Sequence, residues 1–138
     1  MNFQTRRLSI LLFMLMLLFI VAVSIGADLR LLPLHLISFP YYDKLGHVIL
    51  YGLLGLLLHI VLGARTFRLG RFPLPYALLI VTALAIVDEL QQSFMPARSF
   101  DLTDLAADVF GVLFFVGIYR VLQPRQVDGS TEPITIES

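Results

Sequence analysis

Residues 8–27 run for twenty positions without a charged side chain, and that run constrains the chain more than any other feature. A helix of this length rises about 30 Å, which matches the hydrocarbon core of a bilayer. Hydrocarbon offers no water to backbone N–H and C=O groups, so a segment that crosses it alone must be helical. A secretory signal is the competing reading, because the Ser24-Ile25-Gly26 segment offers small residues for cleavage. The apolar region of such signals spans about 7–15 residues. The longer run here favours a first membrane helix.

The rest of the chain fits the same solvent. It has 138 residues, enough for one domain, with 58% hydrophobic and 14% charged side chains and a mean hydropathy of +0.87. A soluble domain of this size carries more charge and cannot hide so much apolar side chain. The formal net charge is zero, so no basic excess exists to neutralise phosphates and nucleic acid is not an expected partner. With no cysteine, disulfides, thiolate catalysis and thiolate metal sites are excluded. Tryptophan is absent too, which leaves interfacial aromatic belts to Tyr and Phe.

Four helices are expected, at about 8–27, 44–62, 73–95 and 102–122, in an all-α membrane bundle spanning 1–122. Residues 28–42 carry Pro33, Pro40, Phe39, Tyr41 and Tyr42 and suit an interfacial connection. Residues 63–72, with Arg65, Arg68 and Arg71, read as a basic loop. The third helix begins near Pro73 or Tyr76, where proline in a first turn does little harm. Its uninterrupted apolar part, 76–87, makes only about 18 Å of helix. It is therefore expected to continue through Asp88, Glu89 and Gln92 until Pro96 stops it, which puts those acids below the membrane surface. The tail, 123–138, is polar and carries two prolines and a glycine; it is expected to be disordered and cytoplasmic.

Orientation follows from the count of Lys and Arg by loop. With the N-terminus inside, Arg6, Arg7, Arg65, Arg68, Arg71, Arg120 and Arg125 fall on the cytoplasmic side, against Arg30, Lys44 and Arg98 outside. Seven against three predicts N-in and C-in in a cytoplasmic membrane.

That orientation gathers Asp28, Asp43, Asp88, Glu89, Asp101, Asp104 and Asp108 at the outer side. Lys44, His47 and Tyr51 follow i, i+3, i+7 spacing; so do Asp101, Asp104 and Asp108, while Glu89 and Gln92 are i, i+3. Each set lies on one helix face. An unpaired charge at a helix centre costs about 2.5–3.5 kcal/mol on insertion scales, and such residues mark function by default. Structural readings stand beside this. Asp43 can cap the second helix, and Asp101 with Asp104 resembles a capping pair. His59 reads as a satisfied packing residue and His35 as interfacial. Asp88 reads as a water-facing neighbour of Glu89, with only one of the two pointing inward.

His47 with Glu89 could supply acid–base work, although no nucleophile motif accompanies them. A metal site from His47 plus carboxylates is chemically plausible, but the spacing matches no strong metal-ligand signature, and no metal or cofactor is assigned. The inner halves of the helices are nearly pure hydrocarbon, which argues against a channel. A head-group site fits better: Lys44 and Arg98 for phosphate or carboxylate, and the acid excess for an amine or a divalent ion.

The motif Asp43-Lys44-x-x-His47-x-x-x-Tyr51, followed by Glu89-x-x-Gln92-x-Phe94-x-Pro96-x-Arg98 and then Asp104, Asp108 and Gly111, resembles the VanZ-like family, named for a teicoplanin-resistance protein. The resemblance covers about residues 39–122. The family commonly has asparagine where this chain has Asp108, so a carboxylate replaces an amide there. The resemblance implies a small bacterial envelope membrane protein, and its founding member is linked to reduced sensitivity to a lipoglycopeptide antibiotic. The expectation is a polar pocket at the outer ends of helices two, three and four. His47 and Glu89 are the proton-transfer candidates; Lys44, Tyr51, Gln92, Arg98 and Asp104 line it, and Asp108 forms its floor. Its partners would be membrane lipids and a lipid-linked or cell-wall head group. The rival is an accessory subunit of a larger membrane complex, whose polar layer only packs helices.

Overall fold

A computed structural model describes residues 3–28, 41–94 and 101–123. It contains four α-helices, α1 (Phe3–Asp28), α2 (Tyr42–Val61), α3 (Tyr76–Ser93) and α4 (Leu102–Leu122), with strands β1 (Thr66–Leu69) and β2 (Phe72–Pro75) between α2 and α3. Three helices, α1, α2 and α4, are long and apolar enough to cross a membrane. The fourth, α3, carries Asp88, Glu89, Gln91 and Gln92 in its last two turns, which lowers its mean hydropathy.

Helices α2 and α4 make the most extensive contact in the bundle, and small residues set its closeness. A Cβ on Gly111 would strike the backbone of Val48, and one on Gly52 would lie 2.9 Å from the Gly111 carbonyl oxygen. Such small-residue crossings bring helix backbones together where no hydrophobic force drives association within lipid. Gly55 receives Val112 in the same way. Around this seam Leu54, Val112, Val116, Val81, Ala77 and Ala85 are fully buried. Helix α1 packs mainly against α2, and most of its large apolar side chains remain exposed.

The segment read as a basic loop and the start of the third helix is instead an antiparallel hairpin, with Leu69 opposite Phe72 and Thr66 opposite Pro75. The two-residue turn has Gly70 at φ 61°, a conformation that costs glycine little. N–H groups along an antiparallel strand point alternately toward and away from the partner. Pro73 and Pro75, two apart, both fall on the set facing away, where a missing donor is harmless. Pro75 also delays the helix start to Tyr76. Arg120, in the last turn of α4, donates from Nη1 to the Pro73 carbonyl oxygen at 2.9 Å, fixing the hairpin to the end of α4.

Candidate functional site

At the opposite end from the hairpin, all four helices meet through polar side chains. Ser24 comes from the last turns of α1, Lys44, His47 and Tyr51 from the first three turns of α2, Asp88, Glu89 and Gln92 from the end of α3, and Asp101, Asp104 and Asp108 from the start of α4. Successive helices therefore run in alternate directions. The site is their shared polar end.

Asp88 joins three of them. Its Oδ1 accepts from Ser24 Oγ at 2.8 Å, and its Oδ2 accepts from Tyr51 OH at 2.9 Å and from Gln92 Nε2 at 2.9 Å. The expectation that one of Asp88 and Glu89 faces water is overturned: Asp88 is partly buried and Glu89 is 1% exposed. Adjacent helical residues diverge by about 100°, so Asp88 turns toward α1 and α2 while Glu89 turns toward α4. Glu89 Oε2 accepts from the backbone N–H of Asp101 at 3.0 Å.

Lys44 makes ion pairs with Asp43 at 3.3 Å, Asp101 at 2.6 Å and Asp104 at 2.5 Å. Those carboxylates, from the protein itself, occupy the ammonium that was expected to take a ligand's phosphate or carboxylate. Asp101 is the N-cap of α4, accepting from the Thr103 N–H at 2.8 Å and from Thr103 Oγ1 at 2.7 Å. The Lys44 ammonium, aided by Thr103, holds the Asp101 carboxyl well below the usual carboxylate range. Asp43 does not cap α2: the N-cap is Tyr41, with no side-chain cap bond.

His47 stacks on Tyr51, with ring centroids 5.7 Å apart. Its Nδ1 lies 3.0 Å from Asp108 Oδ1 and its Nε2 lies 3.9 Å from Asp104 Oδ2. A carboxylate only accepts, so Asp108 selects the Nδ1–H form of a neutral imidazole and leaves the Nε2 lone pair toward Asp104. One ligand atom each from His47, Glu89 and Asp104 lie within 4.8 Å of one another. Glu89 Oε1 and Asp108 Oδ2 are buried with no hydrogen-bond partner among the described residues.

The structure thus brings together His47, Glu89, Lys44, Tyr51, Gln92, Asp104 and Asp108, while Arg98 lies outside the described residues. Reasoning from the sequence missed Ser24 and the central place of Asp88. A serine in an apolar run can bond its own helix backbone, and nothing in its spacing shows otherwise. At the far end His59 is fully buried, edge-on to Tyr119 at 6.0 Å. Neither of its ring nitrogens has a partner among the described residues. It packs as expected but is not satisfied.

Beside the polar end lies a cavity of about 180 Å³. Its walls come from α1, α2 and α3, where a pocket among α2, α3 and α4 was expected. Ile20, Val23 and Leu50 form an apolar side, and Ser24, Asp43, His47, Asp88 and Gln92 a polar one. The Asp104 and Asp108 carboxylates stand behind His47 and do not line it.

A family model described as VanZ/LLP1 matches residues 8–123. No curated protein and no solved structure matches the chain.

Proposed function

The chain belongs to the VanZ/LLP1 family, and from that premise we propose a four-span protein of the bacterial cytoplasmic membrane, N-in and C-in, whose outer cavity holds a lipid-linked or cell-wall head group. Support for four spans comes from α3, which has polar anchors at both ends of the bundle. The Arg120–Pro73 bond lies just before its start and the Glu89–Asp101 bond near its end, so α3 runs alongside α4. Support for the orientation comes from Arg65, Arg68, Arg71 and Arg120 at the hairpin end, as the positive-inside rule requires of the cytoplasmic face. Residues 124–138 would then be a cytoplasmic tail.

The observation that carries the head-group reading is the cavity's two-sided lining. An apolar wall beside polar acceptors suits a molecule with a hydrocarbon chain and a donor-bearing head. Drug-sized pockets enclose about 300–1,000 Å³, so a cavity of about 180 Å³ admits a terminal group and not a whole precursor. Asp43 and Asp88 contribute carboxylates, and Lys44, beside Asp43, is already bound by acids. The favoured head group therefore presents an amine or hydroxyl. A cell-wall precursor of that kind would connect the site to glycopeptide sensitivity.

The test is reconstitution in nanodiscs of phosphatidylethanolamine, phosphatidylglycerol, or phosphatidylglycerol with a polyprenyl-linked muropeptide, followed by native mass spectrometry. Retention of the amine-bearing molecules over phosphatidylglycerol, lost in Asp88→Asn, is the expected result. Equal retention of every lipid by wild type and variant overturns it. The accessory-subunit reading gains from the bonds of Asp88 to Ser24 and Tyr51 and of Lys44 to three acids, since buried polar contacts between membrane helices contribute about 0.6 kcal/mol on average. Under that reading Asp88→Asn lowers abundance or detaches a partner instead.

A further inference from the structure

The carboxylates behind His47 are in surplus. Among the described residues, Asp43, Asp88, Glu89, Asp101, Asp104 and Asp108 surround a single ammonium, Lys44. Lys44 reaches three of them and Asp88 collects three neutral donors. Glu89 and Asp108 are each 1% exposed, and each keeps one oxygen without a donor among the described residues. Two bare carboxylate oxygens in a dry interior require a cation or a proton.

The geometry points to a divalent transition-metal ion, of the Zn²⁺ or Mn²⁺ class, held by His47 Nε2, Glu89 and Asp104 with Asp108 behind the imidazole. One ligand atom from each of the three lies within 4.8 Å of the others. Ligands at about 2.0–2.2 Å from a shared ion stand up to about 4.4 Å apart, so small side-chain movements close the set. Asp108 already makes the contact that orients a metal-bound histidine: a carboxylate on Nδ1, leaving Nε2 to the ion. Asp104 divides its oxygens, Oδ1 to Lys44 and Oδ2 toward His47. An imidazole among the ligands favours a transition ion over Mg²⁺ or Ca²⁺, which take all-oxygen shells. The site shares His47 with the head-group cavity, but Glu89 and Asp104 do not line that cavity, and the metal reading does not rest on the head-group one.

The experiment uses the full chain in detergent, stripped with a chelator and titrated with Co²⁺. One ion per chain is expected, with a visible ligand-field band that Zn²⁺ displaces. His47→Ala, Glu89→Gln and Asp104→Asn should each abolish the band. Asp108→Asn should weaken binding by about 10–100-fold while keeping it. Glu89→Gln retains an oxygen for the Asp101 N–H, and helicity by circular dichroism checks that it folds. A rise in unfolding temperature with Zn²⁺ in the unsubstituted protein gives a second readout. Asp88→Asn, which touches no proposed ligand, should keep the band even where it loses head-group preference. Absence of both band and thermal shift in the unsubstituted protein, or an unchanged band in Glu89→Gln, overturns the proposal and assigns the cluster to protons.

Discussion

Nδ1 of His47 lies 3.0 Å from Oδ1 of Asp108, a carboxylate contributed by the facing helix and 1% exposed. The pair links α2 to α4 and determines which imidazole nitrogen faces Asp104. Neutral His47 should therefore be held as the Nδ1–H tautomer, visible in ¹⁵N spectra of labelled protein. In Asp108→Asn the amide can present either its oxygen or its nitrogen to the ring, and both tautomers should appear. A dominant Nε2–H form in the unsubstituted protein would refute this account of the pair.

Gly111 faces the Val48 backbone across the α2–α4 seam, where a methyl group has no room. Gly111→Ala should destabilise the bundle by about 1–3 kcal/mol, the usual range for overpacking. Gly117, with open space around its Cβ position, should tolerate alanine. Unfolding in mixed micelles compares the two, and equal stability would mean that the seam is not tight.

His59 points in the other direction. It is fully buried, with two ring nitrogens unpartnered among the described residues, and an unsatisfied buried polar group costs about 1–3 kcal/mol. His59→Leu should raise stability by a similar amount in the same assay. A loss of stability would reveal a hydrogen bond to His59 in the membrane.

On the proposed orientation, the hairpin end carries the topology signal. Replacing Arg65, Arg68 and Arg71 with Gln should leave the cytoplasmic side nearly matched in Lys and Arg by the outer side. Reporters fused after residue 123 should then show mixed orientation, against a uniform cytoplasmic tail in the parent. An extracytoplasmic tail in the parent would invert the whole assignment.

Much of this architecture was legible because hydrocarbon imposes length and periodicity at once. The short apolar part of α3 forced its continuation through Asp88 and Glu89, and the structure carries the helix to Ser93. The spacing of Lys44, His47 and Tyr51 placed them on one face, and all three meet acids. The hairpin was not legible: four-residue strands containing Pro73 and Pro75 have no periodic signature, and their pairing depends on a two-residue turn. The roles of Ser24 and Asp88 were hidden for a different reason. Which of two adjacent acids faces inward depends on which neighbouring helix stands there, and sequence spacing within α3 carries no record of α1. The pairing of Lys44 was concealed likewise, since a lone cation gives no sign of how many acids converge on it.

On the proposed four-span arrangement, the brevity of α3 reaches beyond the protein to the lipids around it. Its apolar run falls short of a typical hydrocarbon slab by about 12 Å, so either the neighbouring acyl chains bend inward there or water dips toward Asp88 at the cavity wall. Deforming a bilayer costs a fraction of a kcal/mol per Å, small for each lipid but summed around the rim. Longer or more saturated tails would deepen that dimple and strain its edge. The composition of the host membrane thus sets how much water reaches Asp88.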